Sequence, residues 1–205
     1  MPPTGKGGRY HHGDLRAALI ETAIELIGEH GVRGFSLAEA SRRLGVAVSA
    51  PYAHFADRSD VLAAIAVRGY QAFAAELAPY EDPALPPAGR LAAMASAYVR
   101  FAAAQRPLFE VLYDADVDKD RHPELAAAEK PVRDAFDCSV AALTGGDEVP
   151  TRDLATALEA AARGYALFYL DGQFGEGAAA VDEAAARAAR ATLALIASRG
   201  LLSGP

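Results

Sequence analysis

Apolar residues recur at helical spacing through most of this 205-residue chain, and Gly, Pro and Asp cut them into segments. From Asp14, an acidic cap, Leu19, Ala23, Leu26 and Ile27 keep to one face until Gly28 and Gly31 break the pattern. Ser36 predicts the cap of a second helix through Leu37, Ala40 and Leu44, with Glu39 three residues on to complete a capping box. Gly45 ends it and Val46 plugs the corner, since a tight turn there needs a left-handed backbone that glycine alone adopts cheaply. Val48 to Phe55 predicts a third helix of about two turns. Asp57, with Asp60 three on, opens a fourth, in which Leu62, Ile65, Ala66, Gly69, Phe73 and Leu77 share a face before Pro79. Prolines 79, 83, 86 and 87 mark a linker, beyond which helical patterns cover roughly 88–105, 107–113, 123–143, 151–174 and 181–199. The expected fold is all-α: an N-terminal three-helix head over 1–56, a linking helix over 57–79 and a larger helical body over 80–205.

Composition sharpens this. Hydrophobic residues are 52% of the chain but aromatics only 8%, so alanine carries much of the apolar content, which suits closely packed helices. The net charge of −7 argues against indiscriminate coating of nucleic acid. It lies entirely beyond residue 60: the first 60 residues hold 7 Lys/Arg and 7 Asp/Glu. Residues 1–9, with Lys6 and Arg9, read as a basic arm. Cys138 is the only cysteine, which excludes an intramolecular disulfide framework and a Cys-based zinc site. No apolar signal region and no uncharged apolar run of about 18 residues is present, so a cytoplasmic protein without a membrane partner is expected.

Within Phe35 to Leu62 the parts of a helix-turn-helix stand in order: Phe35, Ser36, Leu37, Ala40, Gly45, Val46, Tyr52, His54, Phe55, Arg58 and Leu62. This run resembles the N-terminal domain of TetR-type (AcrR/TetR-like) transcriptional regulators. Ala47 replaces the usual Ser that caps the third helix, a loss of about 1 kcal/mol. Arg58 stands where Lys is common, and Pro51 falls near a first turn, where a missing N–H does least harm. The stretch Tyr10-His11-His12-Gly13-Asp14-Leu15-Arg16 further resembles one subgroup, whose body carries Trp and His-Gly where this chain reads Arg163-Gly164 and has no Trp. The resemblance implies a homodimeric repressor that leaves double-stranded operator DNA when a small molecule binds.

Physically, the third helix would enter the major groove while its neighbours hold phosphates. Ser36 and Leu37 open a helix N-terminus that can meet a phosphate. By resemblance, Tyr52, His54 and Arg58 are phosphate contacts. The base-facing candidates Ala47, Val48, Ser49 and Ala50 include no Arg, Lys, Asn or Gln, so the bidentate code is absent; Ser49 can bond a base edge and Val48 or Ala50 can touch a thymine methyl. Arg33, Arg42, Arg43 and the arm would add charge and groove-shape readout. Phe55 is assigned to the core of the head.

In the body, Tyr98, Phe101, Phe109, Tyr113, Phe136, Tyr165 and Phe168 are candidate walls of a cavity for a largely apolar effector, and Arg163 is its candidate polar anchor. The last two helices would dock on their own copy through faces bearing Leu154, Leu158, Ala161, Tyr165, Phe168, Ala185, Ala188, Thr192, Leu195 and Ile196, the arrangement the resemblance implies. No metal or cofactor is expected. The acidic run from Asp114 to Asp120 fails as a calcium loop, with Lys119 at the sixth position and Leu125 at the twelfth. The histidines have no ligand spacing, and Gly172, Gly175 and Gly177 follow a helix instead of a strand. The competing reading is a helical carrier or enzyme without DNA binding, but no catalytic constellation supports an enzyme.

Overall fold

Gly31, at φ 72°, is where the first helix bends out of its regular path, while Gly28 stays helical for a packing reason. A Cβ at Gly28 would lie 3.3 Å from Pro107 Cγ, so glycine lets a helix of the body close on the head. The computed structural model describes residues 12–80, 82, 84–114 and 117–202, and among these the chain forms eight α-helices and no strand. They are α1 (His12–Gly34), α2 (Leu37–Leu44), α3 (Arg58–Leu77), α4 (Pro87–Ala104), α5 (Arg106–Asp114), α6 (Pro123–Thr144), α7 (Glu148–Leu170) and α8 (Ala178–Ala197). The expected arm over 1–9 and part of the acidic run lie outside the described residues.

The second helix starts and stops as its sequence dictates. Ser36 caps α2 by accepting from the Glu39 N–H at 3.2 Å. Gly45, at φ 69° and ψ 26°, closes it, with the Gly45 N–H on Arg42 O and the Val46 N–H on Ser41 O, a paired arrangement that satisfies two terminal carbonyls. The expected capping box is only half made, because the Glu39 carboxylate turns to Arg42 at 2.6 Å. A reciprocal pair forms instead at α3, where the N-cap Asp57 accepts from the Asp60 N–H at 3.1 Å and Asp60 reaches back past it to accept from the Ala56 N–H at 2.7 Å.

The third helix is where sequence and structure part. The segment after Gly45 forms turns and a short 3-10 stretch, Ala50–Ala53, instead of two α-helical turns. Its bonds run three residues apart, Ala50 N to Ala47 O and Tyr52 N to Ser49 O, and Pro51 is buried within it. Pro51 has no N–H to give an upstream carbonyl, and neither Ala47 nor Ser49 supplies a side-chain cap, so the coil tightens.

Head and body share α3. Its Leu62 and Ile65 join Leu26, Phe35, Leu37 and Phe55 in the same core that continues through Phe73 and Leu77 to Leu91 and Val99. A Cβ at Gly69 would lie 3.2 Å from Leu112, so α5 packs tightly against α3 as well. By length and hydropathy (mean 1.3) Arg58–Tyr80 is apolar enough to cross a bilayer, but it carries Arg68 and Glu76 and serves here as the shared core helix. In the body, α4 is packed by α6, α7 and α8. Leu154, Leu158, Ala185, Ala188, Thr192 and Ile196, expected on the face toward a second copy, are buried within the single chain. The large apolar side chains left exposed on α7 and α8 are Val149, Leu167, Phe168 and Leu193.

Replacing Gly45 by Ala should cost about 1–2 kcal/mol, because the left-handed backbone must then carry a Cβ. Thermal unfolding followed by circular dichroism should show the Tm fall by roughly 2–8 °C.

Candidate nucleic-acid interface

The corner after α2 presents side chains that the core does not use. Tyr52 is 57% exposed and Val48 51%, and Ala47 and Ser49 are also exposed, whereas Pro51 and Phe55 beneath them are buried. The anchored apolar side and the exposed tip follow from one another: Phe55 is fixed in the core, with the Arg16 guanidinium over its ring at 5.1 Å, so Tyr52 is left to project. Ala50 is half-buried. Ser36 is partly buried at the start of α2, with its hydroxyl engaged as the cap.

The cations are distributed differently from expectation. Arg58 donates through Nε to Phe35 O at 3.1 Å and through Nη2 to Val32 O, and lies over the Phe35 ring at 5.7 Å. It therefore satisfies carbonyls around the end of α1 and ties α1 to α3, with two of its three nitrogens engaged in the scaffold. Leu37 is likewise core, at 6% exposure, which leaves only its backbone toward any anion. Arg43 forms a two-pronged pair with Glu29 at 2.6 and 2.8 Å, which holds the Glu29 carboxyl below its usual range. Arg42 pairs with Glu39. Both pairs are exposed, and such pairs are weak and screened by salt, so a phosphate can replace either carboxylate. Arg33 is exposed and makes no ion pair among the described residues. His54 is half-buried, and its Nε2 is enclosed without a hydrogen-bond partner, turned from solvent.

A second feature lies in the body: a cavity of about 590 Å³ reached by α3, α4, α5, α6, α7 and α8. Of the aromatic candidates Tyr98, Tyr113 and Phe136 line it, as does Arg163, whose guanidinium sits over the Tyr113 ring at 4.6 Å. Phe101 and Phe109 are instead core, stacked on Phe73 and on Tyr98 and Tyr113. Tyr165 packs on Phe174, and Phe168 is 48% exposed on the outside of α7; neither lines the cavity.

Sequence reasoning missed Tyr70, Phe73 and Thr192, which also line it. Their helices were legible, but the inward face of α3 and α8 depends on neighbours distant in sequence. Burial raises the Tyr98 phenol, with the charge-bearing form of Tyr113 beside it a second cause, and burial then the Glu129 carboxylate raise that of Tyr70. Both are neutral hydrogen-bonding groups in this wall. Charged groups gather at the same cavity: Arg133 pairs with Glu159, and Lys119 with Glu129 at 2.7 Å.

Residues 19–65 match the family model described as bacterial regulatory proteins, tetR family, and residues 91–192 match that described as tetracyclin repressor-like, C-terminal domain. The chain belongs to the TetR family. It is a DNA-binding transcriptional regulator with a helix-turn-helix head. A solved protein of unknown function from Rhodococcus sp. RHA1 is 29% identical, with a TM-score of 0.70 over 91% of this chain and 97% of that one. A tetR-family regulatory protein from Rhodococcus RHA1 is 19% identical, with a TM-score of 0.71 over 88% and 96%. FadR from Bacillus subtilis, solved in complex with stearoyl-CoA, is 15% identical, with a TM-score of 0.66 over 89% and 97%. No curated protein matches the chain.

In a TetR-family head built this way, Arg58→Met should lower thermal stability while leaving the dependence of DNA affinity on salt unchanged. A lost phosphate contact would instead reduce the slope of log K against log salt by about 0.9, which fluorescence anisotropy at several salt concentrations resolves.

Proposed function

We propose that this regulator is a homodimeric repressor, cytoplasmic, whose two heads bind half-sites of a roughly palindromic operator and which a small molecule in the body cavity releases. The observation that carries this reading is the sharing of α3. Its first turn follows directly on the exposed segment 47–54, and its Tyr70, Phe73 and Leu77 line the cavity. A molecule that fits the cavity better with α3 displaced therefore shifts the heads, through its differential affinity for the two arrangements. Half-site spacing follows from the dimer and should be a multiple of about 34 Å.

At the DNA, we assign Tyr52 and the N-terminus of α2 at Ser36 to phosphates, with Arg33, Arg42 and Arg43 contributing charge. Ala47, Val48, Ser49 and Ala50 are left to touch bases. Phe168, Leu167 and Leu193, exposed on α7 and α8, form the docking face for the second copy. The run from Tyr10 to Arg16 supports placing the chain in the Trp/His-Gly subgroup, with Arg163-Gly164 substituting in the body.

The effector is an amphipathic small molecule, apolar along Phe73, Leu77 and Phe136 and polar where it meets Tyr98, Arg163 and Thr192. Thr192 Oγ1 is buried without a hydrogen-bond partner, and an effector oxygen or nitrogen would complete it.

Binding to the promoter region of the protein's own gene tests this reading. It should saturate, fall steeply with salt and resist competitor DNA. Tyr52→Ala should weaken binding to all sequences alike by about tenfold, as a lost phosphate contact does, whereas Ser49→Ala should change which sequence wins. Salt-insensitive or absent binding would exclude the regulator reading. In light scattering, Phe168→Glu with Leu193→Glu should convert dimer to monomer. Thr192→Val should leave thermal stability unchanged or raise it, since a methyl replaces an unpaired hydroxyl of the same shape, while the effector loses affinity.

A further inference from the structure

A second cavity, about 490 Å³, lies between head and body, away from the α7–α8 pair. The head contributes Arg16 from α1 and His54 from the end of the exposed segment, the shared helix α3 contributes Asp60 and Arg68, and the body contributes Arg121, His122 and Glu124. Two imidazole nitrogens stand out in it. His122 is 6% exposed and its Nε2 has no hydrogen-bond partner. The carboxylate oxygen Asp60 Oδ1 is 3.6 Å away, too far for a hydrogen bond, and Glu124 Oε1 is 3.4 Å from the other nitrogen. His54 Nε2, on the opposite domain, is also enclosed and unpartnered. Such groups normally find a partner, so this polar cavity holds two nitrogens with unmet hydrogen-bonding capacity.

The chemistry that would meet this capacity follows from what is already spent. Asp60 is committed, with Oδ2 on the Ala56 N–H at 2.7 Å and Oδ1 near Arg121 at 3.4 Å. Arg121 also reaches Asp57 at 3.1 Å, and Arg68 pairs with Glu21. Arg16, over the Phe55 ring, has no carboxylate partner among the described residues. The Arg16 guanidinium is thus an unspent donor, and each imidazole has one unengaged nitrogen that donates when protonated, in a lining with three guanidinium groups, two carboxylates and the Gln71 amide. We propose that this cavity is a second ligand site, which takes a small oxyanion, a carboxylate or a phosphate, between His54 and His122. The bound anion would accept from both domains at once and clamp the head to the body beside the exposed segment that carries Tyr52. This site is distinct from the effector cavity, with which it shares no lining residue.

The test needs no DNA, so its outcome is separable from that of the regulator reading. The full chain is titrated with inorganic phosphate, with acetate and, as an ionic-strength control, with sodium chloride, while the ring C–H resonances of all histidines are followed by NMR. Saturable shifts at His54 and His122, at millimolar phosphate or acetate and absent with chloride, are expected; whichever anion saturates at lower concentration names the class. His122→Asn should weaken that anion at least tenfold, and His54→Asn, in the head, gives the same readout should the first variant fail to fold. Shifts that stay linear, that chloride reproduces, or that survive undiminished in the folded variant would overturn the proposal.

Discussion

A single helix that runs through the core of both head and body is the constraint on which this molecule is built. α3 is 20 residues long, about 30 Å, and Leu62 and Ile65 near its start are as deeply buried as Leu77 near its end. Well-packed interiors do not deform smoothly, so a shift at one end of such a rod is carried to the other. α5 adds to this, pressed on α3 at Gly69 and on α1 at Gly28, where in each case the absent side chain sets the approach distance. The body thus grips the head along its rear while Ala47, Val48, Ser49 and Tyr52 remain outside.

The polar counterpart of this grip is the junction at the first turn of α3. Asp57 caps that helix, and its carboxyl is held below the usual range first by the Asp60 N–H and then by Arg121 of the body. The same two carboxylates therefore start the helix and receive the body's cation. Through Arg58, the next residue, the helix also holds the carbonyls that end α1. Local capping, interdomain contact and the position of the exposed segment depend on two consecutive residues, Asp57 and Arg58, and on Asp60.

Much of this was legible in the chain. Helix periodicity and Gly, Pro and Asp punctuation placed every helix of the body to within a few residues, and Gly45 and Ser36 carry out the roles their chemistry dictates. Asp57 and Asp60 likewise announced α3. What could not be read was set by contacts across the sequence. Arg58 reads as a surface cation, and only the meeting of α3 with residues 32–35 turns it into a scaffold bond. Phe168 and Phe136 look alike in sequence, yet one faces outward and the other a cavity, because the packing of α7 and α6 against α4 decides which face is inside. The 3-10 tightening at Ala50–Ala53 falls where the chain departs from the family pattern at Pro51 and Ala47, one lacking an N–H and the other a capping oxygen.

One division of labour has a consequence for how such a chain diversifies. The positions that bear structural duty around the corner, Gly45, Pro51, Phe55 and Arg58, are interleaved with Ala47, Val48 and Ser49, which hold up nothing. The exposed side chains of the corner can thus be exchanged while the packing beneath them stays as it is, which separates what the corner presents from what holds it in place.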